Sequence, residues 1–176
     1  KVEKILDGDA TSFWHTNYEE ANGQVLSHDM PPYDVDITLP KLTLITGMKL
    51  TPRSDRTTGA IKKYRLYASR EDEGELFMLM EEVLPSAYGA ITVDFACGIE
   101  VKRIRFEVLE GSGGYATLAE FELIPGKADT LVVPYEDFNQ TMNENKLHKI
   151  DPSTIKAEND LPTWANTNVS TIVSGQ

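Results

Sequence analysis

Two groups of residues in this sequence have the type and spacing to do chemistry. The first is Asp7-Gly8-Asp9, followed by Thr11 and Ser12. Asp-Gly is a turn dipeptide, so two carboxylates leave the chain close together with hydroxyl and carbonyl oxygens beside them. A hard cation such as calcium takes roughly six to eight oxygen ligands, and such a set suits it. On these residues alone a solvated Asp-Gly turn is the simpler reading. The EF-hand pattern is not met, because a loop opening at Asp7 has no acidic residue at its twelfth position. The second group is His15, Tyr18, Arg53 and Tyr115, which fall in three separate loops. Arg offers a rigid fork of donors, neutral His one donor and one acceptor, and Tyr an amphipathic ring. Together these could serve the hydroxyls and the C–H face of a neutral sugar. Each also has an ordinary role open to it: His15 capping a loop, Arg53 paired with Asp55, Tyr115 at a loop tip.

The elements that must hold these loops read as strands. Between the two groups, Phe13 and Trp14 are read as core residues, and Glu19–Tyr33, punctuated by Asn22-Gly23 and Pro31-Pro32, as a polar loop. Tyr33, Val35, Ile37 and Leu39 alternate with Asp34, Asp36 and Thr38, the period of a half-buried strand that Pro40 should close. Leu42–Leu50 is a second such run, broken near Gly47, and residues 51–60 form a loop. Ile61–Ser69 is strand-like, Arg70–Gly74 a charged turn, and Leu76–Met80 an apolar run read as a buried strand. Ala90–Phe95, Val101–Leu109 and Thr117–Ile124 complete the series, with Gly111–Gly114 as a loop before the last. Short strands at regular spacing, with no convincing amphipathic helix, predict an all-β sandwich whose loops gather at its ends. Beyond Pro125-Gly126 the composition shifts to Asn, Thr and Asp. Residues 1–126 therefore read as one domain, and 127–176 as a linker, a packed extension or the start of a further domain. Within that tail Leu131–Val133 could be a strand and Pro152–Lys156 the start of a helix, while Asn139 and Asn168 open N-glycosylation patterns.

With 176 residues, 40% of them hydrophobic, the chain can bury a sizeable core. Its net charge of −11 argues against nucleic acid and anionic membrane as partners. The basic residues Lys62, Lys63 and Arg65, and Lys102, Arg103 and Arg105, lie in strand-like segments and read as a solvated sheet face. Cys97 is the only cysteine, which excludes an intrachain disulfide and reads as a buried thiol. No apolar run reaches the roughly twenty residues that span a bilayer, so membrane insertion is disfavoured. No signal peptide is visible, and a chain that begins at Lys1 reads as a processed or excised fragment.

Asp7-Gly8-Asp9 followed by Thr11–Thr16 resembles the opening of coagulation factor 5/8 type C (discoidin) domains, in particular family-32 carbohydrate-binding modules and the N-terminal domain of galactose oxidase. Leu50–Asp55 with Gly59–Ser69 resembles the middle block of that family, and Val101–Val108 and Leu118–Leu123 its closing strands. The resemblance implies an eight-stranded jelly-roll, galactose-binding-like sandwich. It also implies a structural calcium ion held by the Lys4 carbonyl, Asp7, Asp9, Ser12, the Ala119 carbonyl and Glu120. The implied sugar-binding residues are His15, Tyr18, Arg53 and Tyr115, with Thr58 standing where the family often has Asn, a substitution that bears on specificity for galactose.

No Gly-x-Ser-x-Gly, His-Glu-x-x-His or phosphate-cradling loop is present. The expectation is a non-catalytic, calcium-stabilised module that binds galactose-type glycans, belongs to a secreted, periplasmic or cell-surface protein that degrades glycans, and is a monomer. The alternative is a discoidin-type protein-interaction or adhesion domain, or an architectural spacer with a degenerate sugar site.

Overall fold

The computed structural model describes residues 1–85 and 89–148. A 3-10 turn over Val2–Leu6 opens the chain. The strands are β1 (Trp14–His15), β2 (Tyr18–Ala21), β3 (Gln24–His28), β4 (Tyr33–Thr51), β5 (Ile61–Ser69), β6 (Phe77–Val83), β7 (Ile91–Gly111), β8 (Thr117–Leu118) and β9 (Glu120–Pro125). Helix α1 (Tyr135–His148) follows.

The frame is an antiparallel ribbon of β4 and β7. Tyr33–Thr38 pairs with Arg103–Val108, and Thr43–Leu50 pairs with Ile91–Val101. Strand β5 joins only the second half of β7, and β9 only the second half of β4, giving the order β6-β5-β7-β4-β9. The ribbon thus carries a different set of strands on each half, and the two layers of the sandwich share one core. Alternation places Tyr33, Val35, Ile37, Ile104, Phe106 and Val108 inside, each less than 9% exposed. Two breaks in register let the ribbon pass between layers. At Gly47 a Cβ would lie 2.5 Å from the Val93 carbonyl, so only glycine fits that bulge. Opposite it, Ala96 adopts φ 57° while its amide donates to Asp94 Oδ1 at 2.8 Å.

The all-β sandwich expected from alternation is present. Pro40 does not close a strand: β4 runs through it, and only the pairing lapses between Thr38 and Thr43. Ala90–Phe95 and Val101–Leu109 likewise belong to the single strand β7. Glu19–Tyr33 is not a plain loop but contains the β2–β3 hairpin, closed by Asn22 and Gly23 at φ 54° and 75°. Two positive φ values in a two-residue connection are what a hairpin turn matched to strand twist requires. Leu79 and Met80 are buried as expected, but Phe77 and Met78 are about half exposed because β6 is an edge strand. The basic residues of β5 and β7 do sit in ion pairs: Arg105 grips Asp36 through two bonds of 2.8 and 2.9 Å, and Arg65 and Lys63 share Glu81. Cys97 is 2% exposed, and burial pushes its thiol up.

The tail contains a helix that alternation does not announce. Pro134 precedes it, Glu136 and Asp137 favour its N-terminus, and among the described side chains the hydrophobic residues that turn inward are Tyr135, Phe138 and Met142. Phe138 and Met142 are fully buried in the same core as the strands, with Phe138 edge-on to Phe95 at 5.1 Å. Asn145 donates to the Ala96 carbonyl at 3.1 Å, so the helix also seals the bulge in β7. Leu131–Val133 makes a single bridge, Val132 to Gly98, and is not a strand. Asn139 lies on the helix with its amide donating to the Leu79 carbonyl at 3.2 Å, which counts against its glycosylation in the folded protein. The expected helix start at Pro152–Lys156 and the second pattern at Asn168 lie outside the described residues.

Removing the Phe138 ring should leave a cavity against Phe95. Phe138→Ala is expected to lower stability by about 3–5 kcal/mol, read as a reduced denaturant midpoint at unchanged slope. An unchanged midpoint would show that the helix does not belong to the cooperative core.

Candidate functional site

One end of the sandwich gathers the residues singled out by chemistry. The loop after β4, the start of β5, the end of β7 and β8 are laced there by backbone bonds. The Gly59 amide donates to the Ser112 carbonyl, the Thr117 amide to the Gly59 carbonyl, and the Ala119 amide to the Thr51 carbonyl, all at 2.8–2.9 Å. Strand β1 pairs Trp14 with Leu118 and His15 with Thr117, which brings the opening segment onto the same end. Buried Thr16 locks the joint, donating its amide to the Ala116 carbonyl and accepting the Ala116 amide on Oγ1.

The result is an open cavity of about 360 Å³ lined by Phe13, His15, Tyr18, Glu20, Val25, Arg53, Arg56, Thr58 and Tyr115. All five residues of the expected binding group, Thr58 included, are on its wall. His15 lies between Tyr18 and Tyr115, with ring centroids at 5.1 and 5.4 Å, and Tyr115 also packs on His28 at 4.5 Å. His15 Nδ1 lies 2.6 Å from the Thr16 carbonyl. A carbonyl only accepts, so Nδ1 carries hydrogen, and in the neutral ring Nε2 is left as an acceptor. Arg53 is clamped from two sides: its Nε and Nη2 donate to Asp55 at 2.6 and 2.7 Å, and its guanidinium carbon sits 3.9 Å above the Phe13 ring. Its side chain is only 9% exposed, so the N–H groups that Asp55 does not take are held in fixed directions. The Arg53 guanidinium beside Asp55 holds that carboxyl below the usual range.

Glycines make the loops fit. A Cβ on Gly111 would overlap the Tyr115 carbonyl at 1.8 Å, so the turn that presents Tyr115 has no room for any other residue. Gly59, at φ 84°, would press on Thr117 at 2.5 Å.

The second cluster joins the opening segment to the start of β9. Asp7 accepts the Asp9 amide at 2.9 Å and the Ser12 hydroxyl at 2.6 Å; the hydroxyl first, then the amide, holds its carboxyl low. Glu120, at the start of β9, is 9% exposed and lies against Asp7. Burial first, and then the Asp7 carboxyl, pushes Glu120 up. Glu120 Oε1 is buried with no hydrogen-bond partner. The Asp9 carboxylate does not join them: it accepts the Thr11 amide and hydroxyl at 2.9 and 2.6 Å, while the Asp9 carbonyl accepts the Ser12 amide. Lys4 sits in the opening 3-10 turn, and Ala119 is fully buried beside Glu120. Among the described residues no three His, Cys, Asp or Glu side chains converge.

Phe13, Glu20, Val25 and Arg56 also line the cavity and were not singled out from sequence. Phe13 is not a core residue but the platform under Arg53. Glu20 and Val25 are opposite each other in the β2–β3 hairpin, and the Asn22-Gly23 pair was the signal that could have placed them there.

A model of the F5/8 type C domain matches residues 1–121. Among solved structures, CpGH89CBM32-5 of Clostridium perfringens, determined in complex with GalNAc-β-1,3-galactose, is similar with a TM-score of 0.61 and 26% identity, over 69% of this chain and 81% of that one. The family 32 module of NanJ from C. perfringens, in complex with galactose, is similar with a TM-score of 0.59 and 26% identity, over 69% and 82% of the two chains. The A type blood N-acetyl-α-D-galactosamine deacetylase of Flavonifractor plautii is 26% identical over 139 residues, which are 77% of this chain; the chain spans 17% of that relative's length. With the family model covering more than half of its residues, the chain belongs to the F5/8 type C domain family.

Proposed function

We propose that this domain is a non-catalytic, calcium-stabilised carbohydrate-binding module that recognises galactose-type glycans, within a secreted or surface protein that degrades glycans. The observation that carries the reading is the convergence of His15 in β1, Tyr18 in β2, Arg53 and Thr58 in the loop after β4, and Tyr115 in the loop after β7 on one open cavity. Arg53 supplies donors whose directions are set by Asp55 and Phe13, and His15 Nε2 supplies an acceptor. Tyr18 and Tyr115 supply ring faces for the C–H surface of a pyranose. Arg53 and His15 are already held by Asp55, Phe13 and the Thr16 carbonyl, which lowers the ordering cost of a weak ligand. Two similar modules hold galactose or GalNAc-β-1,3-galactose in their structures, and a longer relative acts on N-acetylgalactosamine, which supports the sugar class.

The ion belongs to the cluster of Asp7 and Glu120. The Asp7 and Glu120 carboxyls interact, and a proton or a cation between two neighbouring carboxylates relieves their repulsion. The orphaned Glu120 Oε1 is the atom such an ion would take up. With two carboxylates present, the remaining oxygens would come from Ser12 and from the carbonyls of Lys4, Asp9 and Ala119. The ion would neutralise the buried charge and tie the opening segment to β9.

A second reading, a protein-interaction domain, is favoured by one observation: Leu26 within β3 and Met30 just after it are 66% and 68% exposed. Exposed apolar side chains of this kind suit a protein partner.

Isothermal titration of the calcium-loaded protein with galactose and N-acetylgalactosamine is expected to show weak saturable binding, lost in Arg53→Ala with the melting temperature nearly unchanged. Absence of heat from either sugar would favour the second reading, and unfolding of Arg53→Ala would make that residue structural. Chelation should lower the melting temperature by several degrees. That corresponds to the loss of about 2.7 kcal/mol if free ion stands a hundredfold above its dissociation constant. Glu120→Gln should abolish this sensitivity; an identical chelator effect in the variant would place the ion elsewhere.

A further inference from the structure

The cavity wall holds charges that a neutral sugar does not need. The charged side chains facing it are Glu20, Arg53 and Arg56. Arg53 is neutralised by its two bonds to Asp55. Arg56 leans on the same Asp55 from 3.8 Å and is 72% exposed, so it sits at the rim in contact with water. Glu20 differs from both. It shares with Tyr18 and Val25 the hairpin face turned to the cavity, whereas its neighbour Glu19 accepts the Ser27 hydroxyl at 3.0 Å. The Glu20 carboxylate has no hydrogen bond or ion pair among the described residues.

A hydroxyl that donates to a carboxylate already makes a charge-assisted hydrogen bond. An ammonium in its place adds the attraction of a full positive charge, worth up to about 1 kcal/mol at an exposed site. The field of the whole protein acts in the same sense: a net charge of −11 draws cationic ligands and repels anionic ones. Arg56, exposed like Glu20, opposes this, but it leans on Asp55 whereas the Glu20 carboxylate has no partner among the described residues.

We infer that Glu20 makes this cavity selective for a cationic amino sugar, a hexosamine of the galactose series with a free ammonium, over its neutral N-acetylated and hydroxyl counterparts. The inference rests on the sugar-binding reading above and names the member of the sugar class that the site prefers. Glu20 acts as the specificity-determining residue, and the hairpin carries it to the site. Strand alternation puts Glu20 on the cavity side with Tyr18 and leaves Glu19 on the other face, and the tight turn at Asn22-Gly23 brings Val25 opposite Glu20.

The test is a titration of the labelled protein with galactosamine, galactose, N-acetylgalactosamine and galacturonic acid at pH 7 and low salt, followed by amide chemical shifts. In the wild type galactosamine is expected to bind roughly fivefold tighter than galactose, with the ratio shrinking as salt is added. The ratio should fall to about one in Glu20→Gln. In Glu20→Lys galacturonic acid should overtake galactosamine. Equal wild-type affinity for galactosamine and galactose would overturn the inference and leave the sugar site standing, as would a preference that survives in Glu20→Gln or a wild-type preference for galacturonic acid. If no sugar shifts any resonance, the sugar site itself is wrong and the inference falls with it.

Discussion

The pairing of Tyr33–Thr51 with Ile91–Gly111 is the constraint on which the other parts depend. It joins stretches separated by some forty residues of intervening chain and forms the inner strands of both layers, so neither layer can assemble without it. Long-range antiparallel pairing of this kind is costly in loop entropy and is held by the core it creates. Tyr64 stacked on Phe106, and Phe106 against Phe121, link β5, β7 and β9 through that core. Because β4, β5 and β7 all end or begin at one edge, the loops they emit meet there. The cavity follows from the ribbon in this sense: Arg53 and Thr58 leave one side of it, and Tyr115 the other.

The opening segment has a double use. Its backbone pairs with β8, its Phe13 and His15 face the cavity, and its Asp7 faces Glu120. An ion between Asp7 and Glu120 would therefore stiffen the same segment that presents His15. The two clusters do not share a side chain, but they share a piece of backbone, which is why a structural ion can matter to a binding surface it does not touch.

Legibility in the sequence followed burial. Where one face of a strand is buried and the other wet, as in Tyr33–Thr38 or Val101–Val108, alternation marked the strand. It could not show that neighbouring runs were one strand, because the bends at Pro40 and near Ala96 interrupt the pattern without ending the chain's extended course. The β2–β3 hairpin was missed because β2 is exposed on every residue and β3 on nearly all, leaving no period to read; only its turn residues signalled it. Helix α1 was missed for a related reason, since three inward residues among many polar ones give a faint stripe. The binding residues were placed by resemblance, and their convergence needed the structure. Singly, His15 hydrogen-bonds its own chain and Arg53 pairs with Asp55, which are ordinary roles for such residues. Glu20 had no signal of its own, since its meaning comes only from the hairpin that sets it on the cavity wall.

The most direct test of the account is a shift-perturbation map of the isotope-labelled, calcium-loaded domain with a galactose-type sugar. The account predicts saturable shifts confined to residues 13–25, 53–58 and 111–117, around the cavity between Arg53 and Tyr115. Shifts centred on the opposite end of β5, around Phe77 and Tyr135, or none at any concentration of sugar, would contradict it.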